Sequence, residues 1–203
     1  MINVDKQGDL LRVTLNRPQK ANSLTCAMLQ DLLGIVQDAQ QNTRVFVLTG
    51  TGNTFSAGAD LAEAHAGLAT SELWEALSGS IADLPCLTIA ALNGTLAGGA
   101  FGMVLACDLR VAVNGANFFY PVMKLGFLPQ PSDPVRMTAL IGPARAKMIL
   151  MAGQKIDAEQ ALNWGLVDRL TDPENLDKTV SELAHAALNA RIDHIEAIKG
   201  MVR

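Results

Sequence analysis

Twice in this chain an apolar run of strand length breaks into a loop of small residues and then into a segment with helical spacing. Residues 92–108 read LNGTLAGGAFGMVLACD: an apolar run at 86–92 stops at Asn93-Gly94, and a second apolar segment starts beyond Gly98-Gly99. Residues 54–60, TFSAGAD, follow the apolar run at 45–49 in the same way. A strand delivered into a helix start leaves first-turn N–H groups without intrahelical acceptors, and adjacent glycines let a ligand approach them closely. If the two loops are neighbours, they offer two converging backbone donors, the arrangement that stabilises an oxyanion. Tight turns in which glycine serves backbone geometry alone are the competing explanation.

The strand-then-helix rhythm continues along the chain and predicts an α/β domain. Residues 2–5 and 10–16 read as strands around the turn Gln7-Gly8-Asp9, because Leu11, Val13 and Leu15 alternate with polar neighbours. Residues 24–41 carry helical spacing in Leu29, Leu32, Leu33 and Val36, and 44–49 is a buried strand, so strand, helix and strand form a crossover unit. Two helices separated near 67–70 are expected over 61–84, with Pro85 as the stop, followed by strands at 87–92 and 109–113 and a helix at 99–106 between them. Helical patterns then cover 133–140, 144–151, 158–164 and 176–201, the last broken near 191–193, with a short strand at 167–170.

A length of 203 residues suits one domain with a real core, and 49% hydrophobic but only 4% aromatic residues describe a core of Ala, Leu and Val. A formal charge of -4 without a long basic run argues against nucleic acid as a partner. The weakly charged stretch 84–107 approaches the length of a membrane span, but Pro85, Asn93 and its glycines fit a strand, a loop and a buried helix better, so no membrane partner is expected. The first residues alternate rather than forming a charged and then apolar leader, which makes the cytoplasm the default location. Cys26, Cys86 and Cys107 read as reduced core residues, and His65, His185 and His194 lack paired ligand spacing, so no metal is indicated. Ser56 lacks the first glycine of a nucleophile elbow, Thr54 standing there instead.

One ordered series of motifs spans most of the chain: Asn16-Arg17-Pro18 with Ala21-Asn22-Ser23-Leu24, Phe55-Ser56-Ala57-Gly58-Ala59-Asp60-Leu61, Asn93-Gly94, Ala97-Gly98-Gly99-Ala100-Phe101-Gly102 and Ala106-Cys107-Asp108. Further matches run from Pro121 to Gly126, through Gly142-Pro143-Ala144-Arg145-Ala146 and over 158–168. In order and spacing the series resembles the crotonase (enoyl-CoA hydratase/isomerase) superfamily. The resemblance implies an α/β spiral of strand–strand–helix turns, as in ClpP and crotonase, forming a single domain over 1–203. It also implies homotrimers or hexamers, and helices beyond position 199 that this chain does not have, so the C-terminal helical region from about 172 is expected to be shortened.

The same resemblance implies the chemistry. The N–H groups of Ala57 and Gly99 match the two oxyanion donors that polarise an acyl-CoA thioester. Lys20, Ala57, Gly58, Ala59, Asp60 and Gly99 are then expected around coenzyme A, which enters as part of the substrate and not as a resident cofactor; Arg17 is a further candidate for its diphosphate. The two glutamates that serve as acid and base in the hydratases fall at Gly102 and Val122, neither of which can transfer a proton. The candidate replacements are Asp60, Glu63 and His65 after the first loop, and Tyr120, Lys124 and Gln130 around the second position, with His65 and Tyr120 singled out for proton transfer. The expected function is that of an enoyl-CoA hydratase/isomerase family protein. An acyl-CoA decarboxylase or hydrolase, or an inactive CoA-binding or assembly subunit, are the alternatives.

Overall fold

The computed structural model describes residues 1–202. An antiparallel hairpin opens the chain, β1 (Ile2–Gln7) against β2 (Leu10–Leu15), paired from Ile2↔Leu15 to Gln7↔Leu10. The alternation in β2 is a burial pattern: Leu11, Val13 and Leu15 are covered while Arg12 and Thr14 are partly open. Helix α1 (Cys26–Asp38) starts where the Thr25 hydroxyl oxygen accepts the Met28 N–H at 3.2 Å, and it turns Met28, Leu29, Leu32 and Val36 inward. It starts later than the expected 24–41 because Leu24 is held in an isolated parallel bridge to Ala59, and it ends earlier, at Asp38. Strand β3 (Val45–Gly50) then pairs parallel with β2, and its unbroken apolar run is covered on both faces.

From β3 the chain repeats one design three times. The first turn is β3, β4 (Thr54–Ser56), α2 (Leu61–His65) and α3 (Leu73–Ala82); the second is β5 (Leu87–Leu92), β6 (Thr95–Ala97) and α4 (Phe101–Leu105). The third is β7 (Leu109–Val113), β8 (Asn117–Phe119), α5 (Val122–Leu125), α6 (Ser132–Ile141) and α7 (Pro143–Leu150). Strand β9 (Ile156–Asp157), α8 (Ala158–Trp164), β10 (Arg169–Thr171), α9 (Leu176–Leu188) and α10 (Ile192–Met201) complete the described chain. The longer strands form a six-stranded sheet in the order β1-β2-β3-β5-β7-β10, and the short ones a four-stranded sheet in the order β4-β6-β8-β9. This is the spiral of strand–strand–helix turns that the motifs imply.

The smaller sheet is absent from the sequence reading, as is α5. Strands of two or three residues are too short for alternation to declare itself, and they exist because each turn of the spiral lays its strand beside the last. Two asparagines fix the step from the large sheet to the small one. Asn22, fully buried, donates from Nδ2 to the carbonyls of Thr51 and Thr54 and accepts the Arg17 N–H; Asn93 accepts the Gly50 N–H and donates to the carbonyl of Gly52. The other departures are small: residues 98–100 form a 3₁₀ turn ahead of α4, and the expected strand at 167–170 is shifted to β10.

Buried apolar residues from both sheets and the helices around them form one cluster. Among the described residues no helix is long and apolar enough to cross a membrane; residues 84–107 resolve into β5, β6, the 3₁₀ turn and α4.

Candidate functional site

The two small-residue loops meet backbone to backbone. Gly58 is buried with φ +89°, and a Cβ there would lie 2.9 Å from the Ala97 carbonyl oxygen and 3.4 Å from the Gly99 nitrogen, so the junction closes only around glycine. Ser56 secures it from below, donating its hydroxyl to the Asn22 carbonyl at 2.8 Å and accepting the Gly58 N–H at 3.2 Å. That serine is fully buried and engaged on both sides, in keeping with a loop residue rather than a nucleophile.

The geometry corrects one donor. The Ala57 N–H, assigned from the motif, donates to the Ala21 carbonyl at 2.9 Å and is not free. Two residues on, the bridge to Leu24 uses the Gly58 carbonyl and the Asp60 N–H, which leaves the Ala59 N–H between them without a protein acceptor among the described residues. Successive amides of an extended segment point to opposite sides, so the Ala59 N–H is directed away from Leu24. The Gly99 N–H, inside the first turn of the 3₁₀ segment, has no acceptor within that turn.

Ala59 and Gly99 both border a cleft of about 320 Å³, together with Ala57, Trp74, Tyr120 and Val122. The Trp74 indole N–H donates to the Leu68 carbonyl at 2.8 Å, and its ring lies 3.4 Å from where a Gly99 Cβ would stand. Leu61, Leu125 and Leu128 form an exposed apolar rim, with Leu128 86% accessible.

Most of the charged candidates are committed elsewhere. The Arg17 guanidinium donates to Asp60 at 2.8 Å and to the Ser23 carbonyl and hydroxyl, and this contact holds the Asp60 carboxyl below its ordinary range. Asp60 also accepts the Ala62 N–H at the start of α2, and Glu63 accepts the Cys26 N–H. Lys20 is exposed and forms no ion pair among the described residues. His65 is exposed at the end of α2 and is not among the residues bordering the cleft, whereas Lys124 and Gln130 are.

Tyr120 lines the cleft, stacked on Phe101 with ring centroids 5.4 Å apart, and its hydroxyl donates to Asp133 Oδ2 at 2.8 Å. Burial first, and then the neighbouring Asp133, push the Tyr120 hydroxyl well above its usual range. Asp133 has no accessible surface, and its second oxygen, Oδ1, is buried without a hydrogen-bond partner among the described residues. Burial raises this carboxyl to about 7, against the lowering effects of the Tyr120 hydrogen bond and Arg136; Glu75 adds to the rise. Nothing in the sequence singles out Asp133, since an acid in the first turn of a helix is ordinarily a solvated partner of the helix dipole. A signal was present only in its place near Tyr120 and Gln130.

The Cys86 and Cys107 thiols are pushed up to about 12 by burial and stay protonated near neutral pH, while Cys26 is only partly covered. Among the described residues no group of three or more His, Cys, Asp or Glu side chains is arranged to hold a metal ion.

Comparison with known proteins gives relatives for the chain and its fold. A family model described as enoyl-CoA hydratase/isomerase matches residues 5–203. YngF of Bacillus subtilis, whose name places it provisionally with the enoyl-CoA hydratases/isomerases, is 38% identical over 194 residues, covering 91% of this chain and 74% of that protein. A carnitinyl-CoA dehydratase of Citrobacter koseri is 35% identical over 205 residues, covering 98% of this chain and 78% of its own length. The solved enoyl-CoA hydratase from Bacillus anthracis superposes with a TM-score of 0.92 at 32% identity, covering 99% of this chain and 81% of that one.

Proposed function

Because the chain belongs to the enoyl-CoA hydratase/isomerase family, we propose that it binds an acyl-CoA thioester and stabilises the derived enolate, with the thioester carbonyl held between the N–H groups of Ala59 and Gly99. The observation that carries this is the junction at Gly58: beside it two amides that border an apolar cleft have no protein acceptor among the described residues. A neutral carbonyl oxygen accepts weakly from such donors and an enolate oxygen strongly, so the site favours the charge that develops during reaction. The apolar rim suits an acyl or pantetheine chain, and Lys20, exposed and without an ion pair among the described residues, is the contact proposed for the CoA diphosphate, with Ala57, Gly58 and Asp60 alongside. Names of relatives support hydration, dehydration or isomerisation of the acyl group as the reaction class. Assembly into trimers or hexamers is proposed on family membership alone, and sedimentation velocity tests it.

Calorimetric titration with butyryl-CoA and with free CoA, then a mass-spectrometric screen against crotonyl-, malonyl- and methylmalonyl-CoA, tests the proposal. Binding with turnover of the enoyl thioester is expected. Gly99→Pro, which deletes one donor, is expected to lower turnover about 10²-fold or more with the circular dichroism spectrum retained. Equal turnover in that variant removes Gly99 from the site.

A further inference from the structure

The helix turn that carries Gly99 also carries Gly102, and a Cβ on Gly102 would stand 3.0 Å from Asp133 Oδ1. That oxygen is the one without a hydrogen-bond partner. The carboxylate of α6 therefore fills the space that a side chain at position 102 would take. Its other oxygen is bonded to the hydroxyl of a tyrosine that lines the cleft. A buried carboxyl is normally provided with donors to both oxygens or replaced by an apolar group. Asp133 has been given one neutral donor and a side-chain-free neighbour.

We propose that Tyr120 and Asp133 act as a proton relay for the cleft, with Tyr120 as the catalytic residue that exchanges a proton with the bound acyl group and Asp133 as the positioning residue that takes and returns it. The inference rests on the acyl-CoA reading above. In the abstracting direction the α-carbon C–H bond breaks and its proton passes to the Tyr120 oxygen as the Tyr120 proton moves to Asp133 Oδ2. Tyr120 stays neutral, Asp133 becomes the acid, and the electron pair remains on the substrate as the enolate. In the return direction Tyr120 gives its proton to the α-carbon and recovers one from Asp133, which is left ionised. No other reactant is needed.

Three side chains bear on this carboxyl. Tyr120 faces it from the segment after β8, Glu75 from α3 accepts the Ser132 N–H beside it, and Arg136 on α6 itself bonds to Ser132 and to Ser78 of α3. With burial dominant, Asp133 changes charge close to neutral pH, where both directions of the relay can be populated. Abstraction requires the ionised form, so its rate should rise with pH and level off above about 7.

Proton NMR in deuterium oxide, following loss of the α-methylene signal of butyryl-CoA, gives a direct readout, with calorimetric binding measured on the same samples. The expected result is exchange in the wild type that rises to a plateau near pH 7, and an approximately 10²-fold or greater loss in both Asp133→Asn and Tyr120→Phe, without the pH inflection. Asp133→Asn keeps the shape of the side chain and removes a buried charge, so it is expected to fold. Wild-type rate and profile in Asp133→Asn overturn the relay, as does wild-type protein that binds butyryl-CoA without exchanging it. Absence of binding in the wild type overturns the acyl-CoA reading itself. A readout independent of ligand is the infrared carboxyl band that disappears in Asp133→Asn: titration near 7 supports the relay, and titration near 4 overturns it.

Discussion

Asp108 and Asp133 each join one element of the fold to another, and their surroundings are opposite. Asp108 Oδ2, between α4 and β7, accepts the Thr88 N–H at 2.8 Å, the Thr88 hydroxyl at 2.9 Å and the Lys199 ammonium at 2.9 Å. Lys199, itself nearly covered, also donates to the Cys86 carbonyl at 2.9 Å, which ties α10 to the start of β5. Among the described residues Asp133 has no cationic hydrogen-bond partner, one tyrosine hydroxyl and an oxygen left bare. Three donors, one of them charged, fix the Asp108 side chain in place; Asp133 has one neutral donor in a dry site. The first aspartate is a fastening, and the second is a carboxyl that burial raises to about 7.

The largest consequence of that contrast is a pH dependence of stability. Between the ordinary carboxylate value of 3.8 and about 7, the folded chain keeps a proton on Asp133 that the unfolded chain releases. Stability contributed by the protonated form is thus present in acid and lost as pH rises through that window, by up to about 4 kcal/mol. Urea midpoints at pH 5 and pH 8 are expected to draw apart in the wild type and to converge in Asp133→Asn. Equal pH slopes for the two proteins break the contrast.

The fastening itself is tested by Lys199→Met. Loss of the charge-assisted contact to Asp108 and of the bond to Cys86 is expected to cost about 2–3 kcal/mol in urea denaturation. Exchange of butyryl-CoA protons per folded molecule should be unaltered, because Lys199 lies away from the cleft residues. An effect on exchange as large as that of Asp133→Asn erases the distinction between the two sites.

The smallest expected effect sharpens it. Gly102→Ala places a methyl 3.0 Å from Asp133 Oδ1, closer than ordinary contact, so the carboxyl must shift by a few tenths of an ångström. The cost is about 1–2 kcal/mol, with a change in the pH at which exchange levels off. An unchanged inflection means that the neighbourhood of Gly102 does not tune Asp133.

Much of the large sheet was legible, because β2 alternates and β3 is apolar throughout, and each pattern states which faces are covered. Gly58 was legible as a loop glycine for a related reason: a backbone that must pass close to another has few residue choices. The smaller sheet, with strands of two or three residues, left no period to read. His65 drew notice because imidazole titrates near neutrality, yet it stands outside the cleft, while Asp133 drew none and is the carboxyl nearest the missing side chain at Gly102.

The sequence by itself determined the family, the strand–helix succession and the two loops proposed to carry the donors, all of which depend on residue type and spacing along the chain. Only the tertiary structure decided which amide of the first loop is free, because Ala57 is spent on Ala21, thirty-six residues earlier, while Ala59 faces the other way from its bridge. Only the tertiary structure turned an ordinary helix-start aspartate into a buried one near neutral pKa. Burial and the loss of partners are set by what α4 and Tyr120 bring against Asp133, and neither is a property of the residues beside it in the chain.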